Sequence, residues 1–268
     1  MLIYIVTALL LFIPLLGHAT PEEDRQQLQN YYLDRAPAIP LSSYAIDYHT
    51  ATNKRLPSGS PLYIERVNDG KSLFNSNFEN GLSYASCFRN NGIGIASDFP
   101  YYDVIEGRIV TLASAINDCR VENNESAYPY DSAEMEAIVI FIMSTSNKNI
   151  VNVIMPNDQA AEEAFYEGKR LFFARQGQLN MACAHCHIDF ANKRYGSEQI
   201  PSVLGLPLRM PRYDSHNSEL VTLQERFNLC LGYTKAKPYP LEGEKLQALE
   251  FYLFYVNNSL PLNAPSIK

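Results

Sequence analysis

The sequence predicts an all-α protein assembled from two tandem copies of one helical domain, and three observations predict it. The first is an internal repeat. Gly70-Lys71-Ser72-Leu73-Phe74 recurs 98 positions later as Gly168-Lys169-Arg170-Leu171-Phe172, and Tyr84-Ala85-Ser86-Cys87-Phe88 lies against Cys183-Ala184-His185-Cys186-His187 at an offset of 99. Leu112, Asn117 and Cys119 match Leu223, Asn228 and Cys230 at an offset of 111, which also carries Met135, Ala137 and Ile138 onto Leu246, Ala248 and Leu249. The second is apolar residues at helical spacing in both copies. The third is a polar stretch containing Pro156, at 147–158, that separates them.

Each element follows in chain order. Leu2 to Leu16 is apolar except for Thr7 and Pro14, and Gly17 and Ala19 then put small residues where a signal peptidase inspects the chain. At about fifteen residues the run is short for a bilayer span, which needs about twenty. Residues 1–19 are therefore predicted to be a signal peptide cleaved near Ala19, with the protein in the periplasm. The first domain is predicted over 20–152, its last helix carrying Met135, Ile138 and Ile142. The second is predicted over 153–268. Asn157 and Asp158 are placed to cap a helix in which Ala161, Phe165, Gly168, Leu171 and Phe172 recur, and Leu246, Leu249, Leu253 and Val256 form one face of a helix near 244–257. The Pro- and Asn-rich segment 257–268 is predicted to be a surface tail.

Cys183-Ala184-His185-Cys186-His187 is the stretch that carries chemistry. Two thiols three apart followed at once by a histidine form an attachment site for a c-type haem, with thioethers from Cys183 and Cys186 and His187 on one face of the iron. Half of a zinc site or a redox disulfide is the other reading of the pair, but no second such cysteine pair supplies zinc ligands and no βαβ pattern surrounds it. The fold prediction sharpens to two tandem cytochrome c-like domains, the first without haem. Tyr84 stands there in place of the first thioether cysteine and Phe88 in place of the histidine, so one covalently bound haem c is expected in all. The two remaining thiols of the first copy, Cys87 and Cys119, are predicted to be joined in a disulfide, as export favours. In such domains the first and last helices cross closely, and Gly70 and Gly168 are candidates for the contact; tolerated helix interruptions are the alternative.

The sixth iron ligand remains open among three side chains. Met210, in Leu208-Arg209-Met210-Pro211-Arg212, would make a plain electron-transfer cytochrome, and His216 a bis-histidine site. Cys230 is favoured by the repeat, which places a cysteine at that position in both copies. Arg226 lies four residues before Cys230, so on a helix the two share a face. A cation there depresses a thiol pKa and holds an oxyanion by a bidentate fork. Lys235 and Lys237 add positive charge nearby, and Arg209 and Arg212 read as ordinary surface residues.

The haem motif, the Arg226-Phe227-Asn228-Leu229-Cys230 segment and the Leu246-Gln247-Ala248-Leu249-Glu250 helix resemble the SoxA family, the catalytic subunits of SoxAX cytochromes, which are L-cysteine S-thiosulfotransferases. The resemblance covers most of the chain beyond residue 19 and is to the single-haem type. It implies that Cys230 is an axial haem ligand that becomes a persulfide, and that Arg226 helps bind the sulfur substrate. It further implies that thiosulfate is joined oxidatively to a cysteine of the carrier protein SoxYZ, while two electrons leave through haem to a small partner cytochrome, SoxX, and a downstream acceptor. A thiosulfate dehydrogenase forming tetrathionate is the rival enzyme. With 46% hydrophobic and 19% charged residues the chain is globular, and its net charge of -7 excludes nucleic acid as a partner, since phosphate binding requires a basic field.

Overall fold

The structure, a computed structural model, describes residues 19–44, 61–195, 198–214, 219–264 and 266–267; nearly all of the predicted signal peptide lies outside the described residues. The helices are α1 (Pro21–Arg35), α2 (Leu41–Tyr44), α3 (Pro61–Phe74), α4 (Leu112–Glu122), α5 (Ala133–Thr145), α6 (Gln159–Phe173), α7 (Leu223–Tyr233) and α8 (Glu244–Val256). Between them lie strands of two or three residues: β1 (Tyr101–Asp103), β2 (Arg108–Val110), β3 (Arg194–Tyr195), β4 (Glu198–Gln199), β5 (Arg212–Asp214), β6 (Glu219–Val221) and β7 (Ser266–Ile267). β1–β2, β3–β4 and β5–β6 are antiparallel hairpins, and β7 joins β5 in parallel. Among the described residues no helix is long and apolar enough to cross a membrane.

The two copies correspond element by element. The β1–β2 hairpin, α4 and α5 recur as the β5–β6 hairpin, α7 and α8, and a cis peptide precedes Pro100 in one copy and Pro211 in the other. Thr111 and Thr222 each close a capping box at the start of α4 and α7, satisfying first-turn amides that would otherwise lack partners. The asparagine shared by the copies is a loop clamp. Asn117 donates to the Tyr128 carbonyl at 3.0 Å and accepts from its N–H at 2.8 Å, and Asn228 does the same to Tyr239 at 2.8 and 2.9 Å.

Each half is organised by one helix crossing, α3 on α5 and α6 on α8. Gly70 and Gly168 stand at the two contacts. A Cβ on Gly70 would lie 1.9 Å from the Ala137 carbonyl oxygen, and one on Gly168 would lie 2.0 Å from the Ala248 oxygen. Both glycines are therefore required by close backbone approach and are not tolerated interruptions. Asp158 caps α6 as expected, accepting from the Ala161 N–H at 3.0 Å, and the predicted apolar face of that helix is buried.

Two long-range features differ from the sequence reading. Helix α1 precedes the first repeat yet packs on α6 and α8 of the second: Lys169 pairs with Asp24 at 2.6 Å and Gln29 donates to the Val256 and Asn258 carbonyls. Segment 257–264 is a strap and not a surface tail. Asn257, Leu260, Leu262 and Ala264 are buried, and the strap exchanges backbone hydrogen bonds with 148–151, through Lys148, Asn149 and Val151. Its prolines and asparagines serve an extended path, in which every other side chain is free to point inward.

The Cys87–Cys119 disulfide forms as predicted. It spans 32 positions, and closing a loop of that length stabilises by about 3.5 kcal/mol. The paired variant Cys87→Ala with Cys119→Ala is expected to lose about that much in denaturant unfolding. Gly168→Ala is expected to cost about 3 kcal/mol or more in the same measurement, because backbone blocks the new methyl group.

Candidate haem site

The site is built on the turn after α6 and on one side of α7. The Ala182 N–H donates to His185 Nδ1 at 2.9 Å, and residues His185–Asp189 wind into a single π turn, a local widening often found at functional sites. Cys186 and His187 lie in that turn and Cys183 just before it; all three are half-buried, and Cys183 and Cys186 are free thiols with no bond between them. His187 Nδ1 lies 2.8 Å from the Pro201 carbonyl, which can only accept, so the proton is on Nδ1 and Nε2 keeps its lone pair. The His187 carbonyl accepts from the Val203 N–H at 2.8 Å and from the Tyr32 hydroxyl at 3.1 Å.

Electrostatics favour ligation by His187. Its pKa is lowered to about 4 mainly by burial, with Arg226 and Arg209 adding to the shift against the Pro201 hydrogen bond. The imidazole is therefore neutral at neutral pH, the form that binds iron. Burial pushes the Cys183 thiol up to about 12, and the nearby Cys230 raises it further. A thiol kept protonated by burial is not a redox-active thiolate. Nor do three His, Cys, Asp or Glu side chains converge among the described residues, as zinc would require.

On α7, Leu223, Gln224, Phe227 and Leu231 are buried, which leaves Arg226 and Cys230 partly exposed along the helix. The helix thus brings Cys230 toward Cys183, and Arg226 toward His187. Met210 does not join them. It lines a cavity of about 80 Å³ between the two halves, with Met135, Met143 and Phe254, and none of Cys183, His187 or Cys230 borders that cavity. His216 lies outside the described residues. Lys235 and Lys237 are exposed and border an open groove beyond the end of α7.

Two residues of the site were missed in the sequence. Arg209 is 4% exposed, donates from Nε to the Gly205 carbonyl at 3.2 Å and acts on His187; it is not an ordinary surface residue. Tyr32 is 155 positions from His187, and no local pattern links them. The Pro207 that opens the 3-10 turn holding Arg209 was the one local signal available.

The second half fits a haem c: two free thiols three apart, a neutral imidazole with Nε2 uncommitted to the Pro201 bond, and a further free thiol, Cys230, whose charge acts on Cys183. The first half does not fit one. Tyr84 is buried against Phe74 and Phe78, its hydroxyl takes a hydrogen bond from Arg120 at 2.7 Å, and Phe88 stacks on Phe74. Aromatic rings and the disulfide occupy the positions that the other half gives to its free thiols and its histidine.

Fold and site together define a c-type cytochrome protein with a duplicated domain. A family model described as SoxA/TsdA, cytochrome c domain, matches residues 69–151 and 167–262. The L-cysteine S-thiosulfotransferase subunit SoxA of Allochromatium vinosum is 35% identical over 93% of this chain and 91% of its own. That of Chlorobaculum tepidum is 33% identical over 92% and 88%. A crystal structure of SoxXA from P. pantotrophus superposes with a TM-score of 0.70 at 26% identity, covering 78% of this chain and 79% of that one. The chain belongs to the SoxA family of cytochrome c domain proteins.

Tyr32→Phe is expected to leave the fold intact and cost about 1 kcal/mol, the net worth of one hydrogen bond, as a lowered urea midpoint.

Proposed function

We propose that this chain is the catalytic, haem-bearing subunit of a periplasmic L-cysteine S-thiosulfotransferase. Cys183 and Cys186 would hold one haem c covalently and His187 and Cys230 would ligate its iron, whereas Tyr84 and Phe88 would leave the first half without the residues to hold one. When bound, haem c supplies a one-electron centre whose potential its ligands set. The protein residues do the rest. His187 is fixed through Nδ1 by the Pro201 carbonyl, so its ring cannot turn. Arg226 offers a planar fork to the sulfonate oxygens of thiosulfate. Cys230 would present a soft sulfur to the outer sulfur of thiosulfate.

The overall coupling forms one S–S bond between a SoxYZ carrier cysteine and the outer sulfur of thiosulfate, breaks the carrier S–H bond, and releases one proton and two electrons. The electrons pass to a SoxX-like small cytochrome c and a downstream acceptor. The placement of Arg226 and Cys230 one turn apart on the partly exposed side of α7, where their charges act on His187 and Cys183 of the haem-type motif, carries this reading. Names of the relatives and the resemblance to SoxXA support the substrate and the small partner; the leader sequence supports the periplasm.

Cys230→Ala is expected to abolish the thiolate signature of the ferric haem and to lower turnover by about 10³-fold or more. Arg226→Ala is expected to lower kcat/KM for thiosulfate about 100-fold, with Arg226→Lys recovering part of it. Product analysis checks the reaction: dependence on the carrier supports the proposal, and free tetrathionate made at full rate without carrier rejects it.

A further inference from the structure

The cavity between the halves is lined by matching residues of the two copies. Ala96, Phe99, Thr111, Leu112 and Met143 line one side, and their counterparts 111 positions on, Pro207, Met210, Thr222, Leu223 and Phe254, line the other. Three polar side chains break this symmetry. Gln224 stands opposite Ala113, Glu250 opposite Val139, and Glu242, which lines the cavity, opposite the exposed Asp131. The helix pair of the first half packs without such a set, so packing alone does not require it. Only the half with the haem motif has it.

All three are locked together. Gln224 Nε2 donates to Glu242 at 2.7 Å and to Glu250 at 2.8 Å, and Gln224 Oε1 accepts from the Glu242 N–H at 2.7 Å. Glu242 also accepts from Gln247 at 3.1 Å and from Thr111 of the first half at 2.7 Å. Glu242 takes up a left-handed backbone conformation, φ 55°, which costs energy for any residue with a Cβ other than Asn or Asp and is kept here to aim its carboxylate inward.

We propose that Gln224 is the positioning residue of helix α7, gripped by a Glu242–Glu250 carboxyl pair that carries one proton between its two members. The inference rests on the reading that Cys230 ligates the haem. Gln224 lies on the first turn of α7, the helix that also carries Arg226 and Cys230, so its grip sets the azimuth of both side chains. Two carboxylates sharing one amide group in a confined cavity cannot both stay charged. Burial, then the charge of Glu242, raise Glu250 to about 8, and burial raises Glu242 as well.

The other ionisable groups around the pair are accounted for. Asp118 of α4 pairs with Arg108 at 2.8 Å, and Tyr130 lines the cavity. Glu225 turns back to cap Thr222, Arg209 acts on His187, and Arg66, Asp131 and Glu136 border a second groove. Because Glu250 titrates above its ordinary 4.5, the stability it contributes is complete below that pH and is lost as pH rises through about 8. Above it, two adjacent negative charges loosen the grip on Gln224.

Ferric haem absorption and electron paramagnetic resonance of the haem-loaded chain, taken from about pH 6 to about pH 10, test this. The wild type is expected to show a reversible ligand-field transition with a midpoint of about 8. Glu250→Gln, which cannot ionise, should lose that transition and keep the low-pH spectrum throughout. Gln224→Ala, the residue of the first half, should show a displaced signal already at the low end. A wild type without a transition, a transition unchanged in Glu250→Gln, or a wild-type signal in folded Gln224→Ala would each overturn the proposal; if Gln224→Ala does not fold, Glu250→Gln decides. Cys230→Ala run alongside separates the two readings. An unchanged low-pH signature in it rejects the ligand assignment, whereas its loss, combined with inert Gln224 and Glu250 variants, rejects the positioning device alone.

Discussion

The close backbone crossing at Gly70 and Gly168 is the constraint on which the rest of the structure depends. With a carbonyl oxygen about 2 Å from where a Cβ would sit, neither position accepts any other residue without moving a helix. That contact fixes α3 against α5 and α6 against α8, and both halves inherit one frame. The capping threonines and the asparagine clamps then repeat on that frame with the same partners in sequence register.

The halves use the same frame for opposite ends. In the first, the crevice is consumed by Tyr84, Phe88 and Phe74 and by the Cys87–Cys119 bond, which stabilise it as apolar contact and a cross-link. In the second, the matched cysteines stay unbonded and the histidine is held neutral by burial. The first half is thus a fixed support, and the Thr111 bond to Glu242 ties that support to the element that follows α7.

Contacts that cross the sequence complete the site. Helix α1 reaches over the second half so that Tyr32 touches the His187 carbonyl, and the 257–264 strap runs back along the connection between the repeats. Both bury groups whose partners lie more than a hundred positions away. Together they hold the backbone of the histidine, whose Nδ1 is fixed by the Pro201 carbonyl.

The sequence by itself determined the duplication, the helical class, the haem-type motif and the disulfide, because each depends on short-range spacing or on offsets between similar segments; for Gly70 and Gly168 it offered two readings, and the backbone distances decided for the contact. That Arg226 and Cys230 share one helix was legible for the same reason: one helical turn separates them, and the repeat marked the cysteine. Only the tertiary structure decided that Met210 faces the cavity between the halves, that Arg209 is buried, that α1 packs on the second half and that 257–264 is a strap. Burial and packing partners arise from the summed contacts of distant segments, and no local pattern of side chains encodes which distant surface an amphipathic or extended segment will cover.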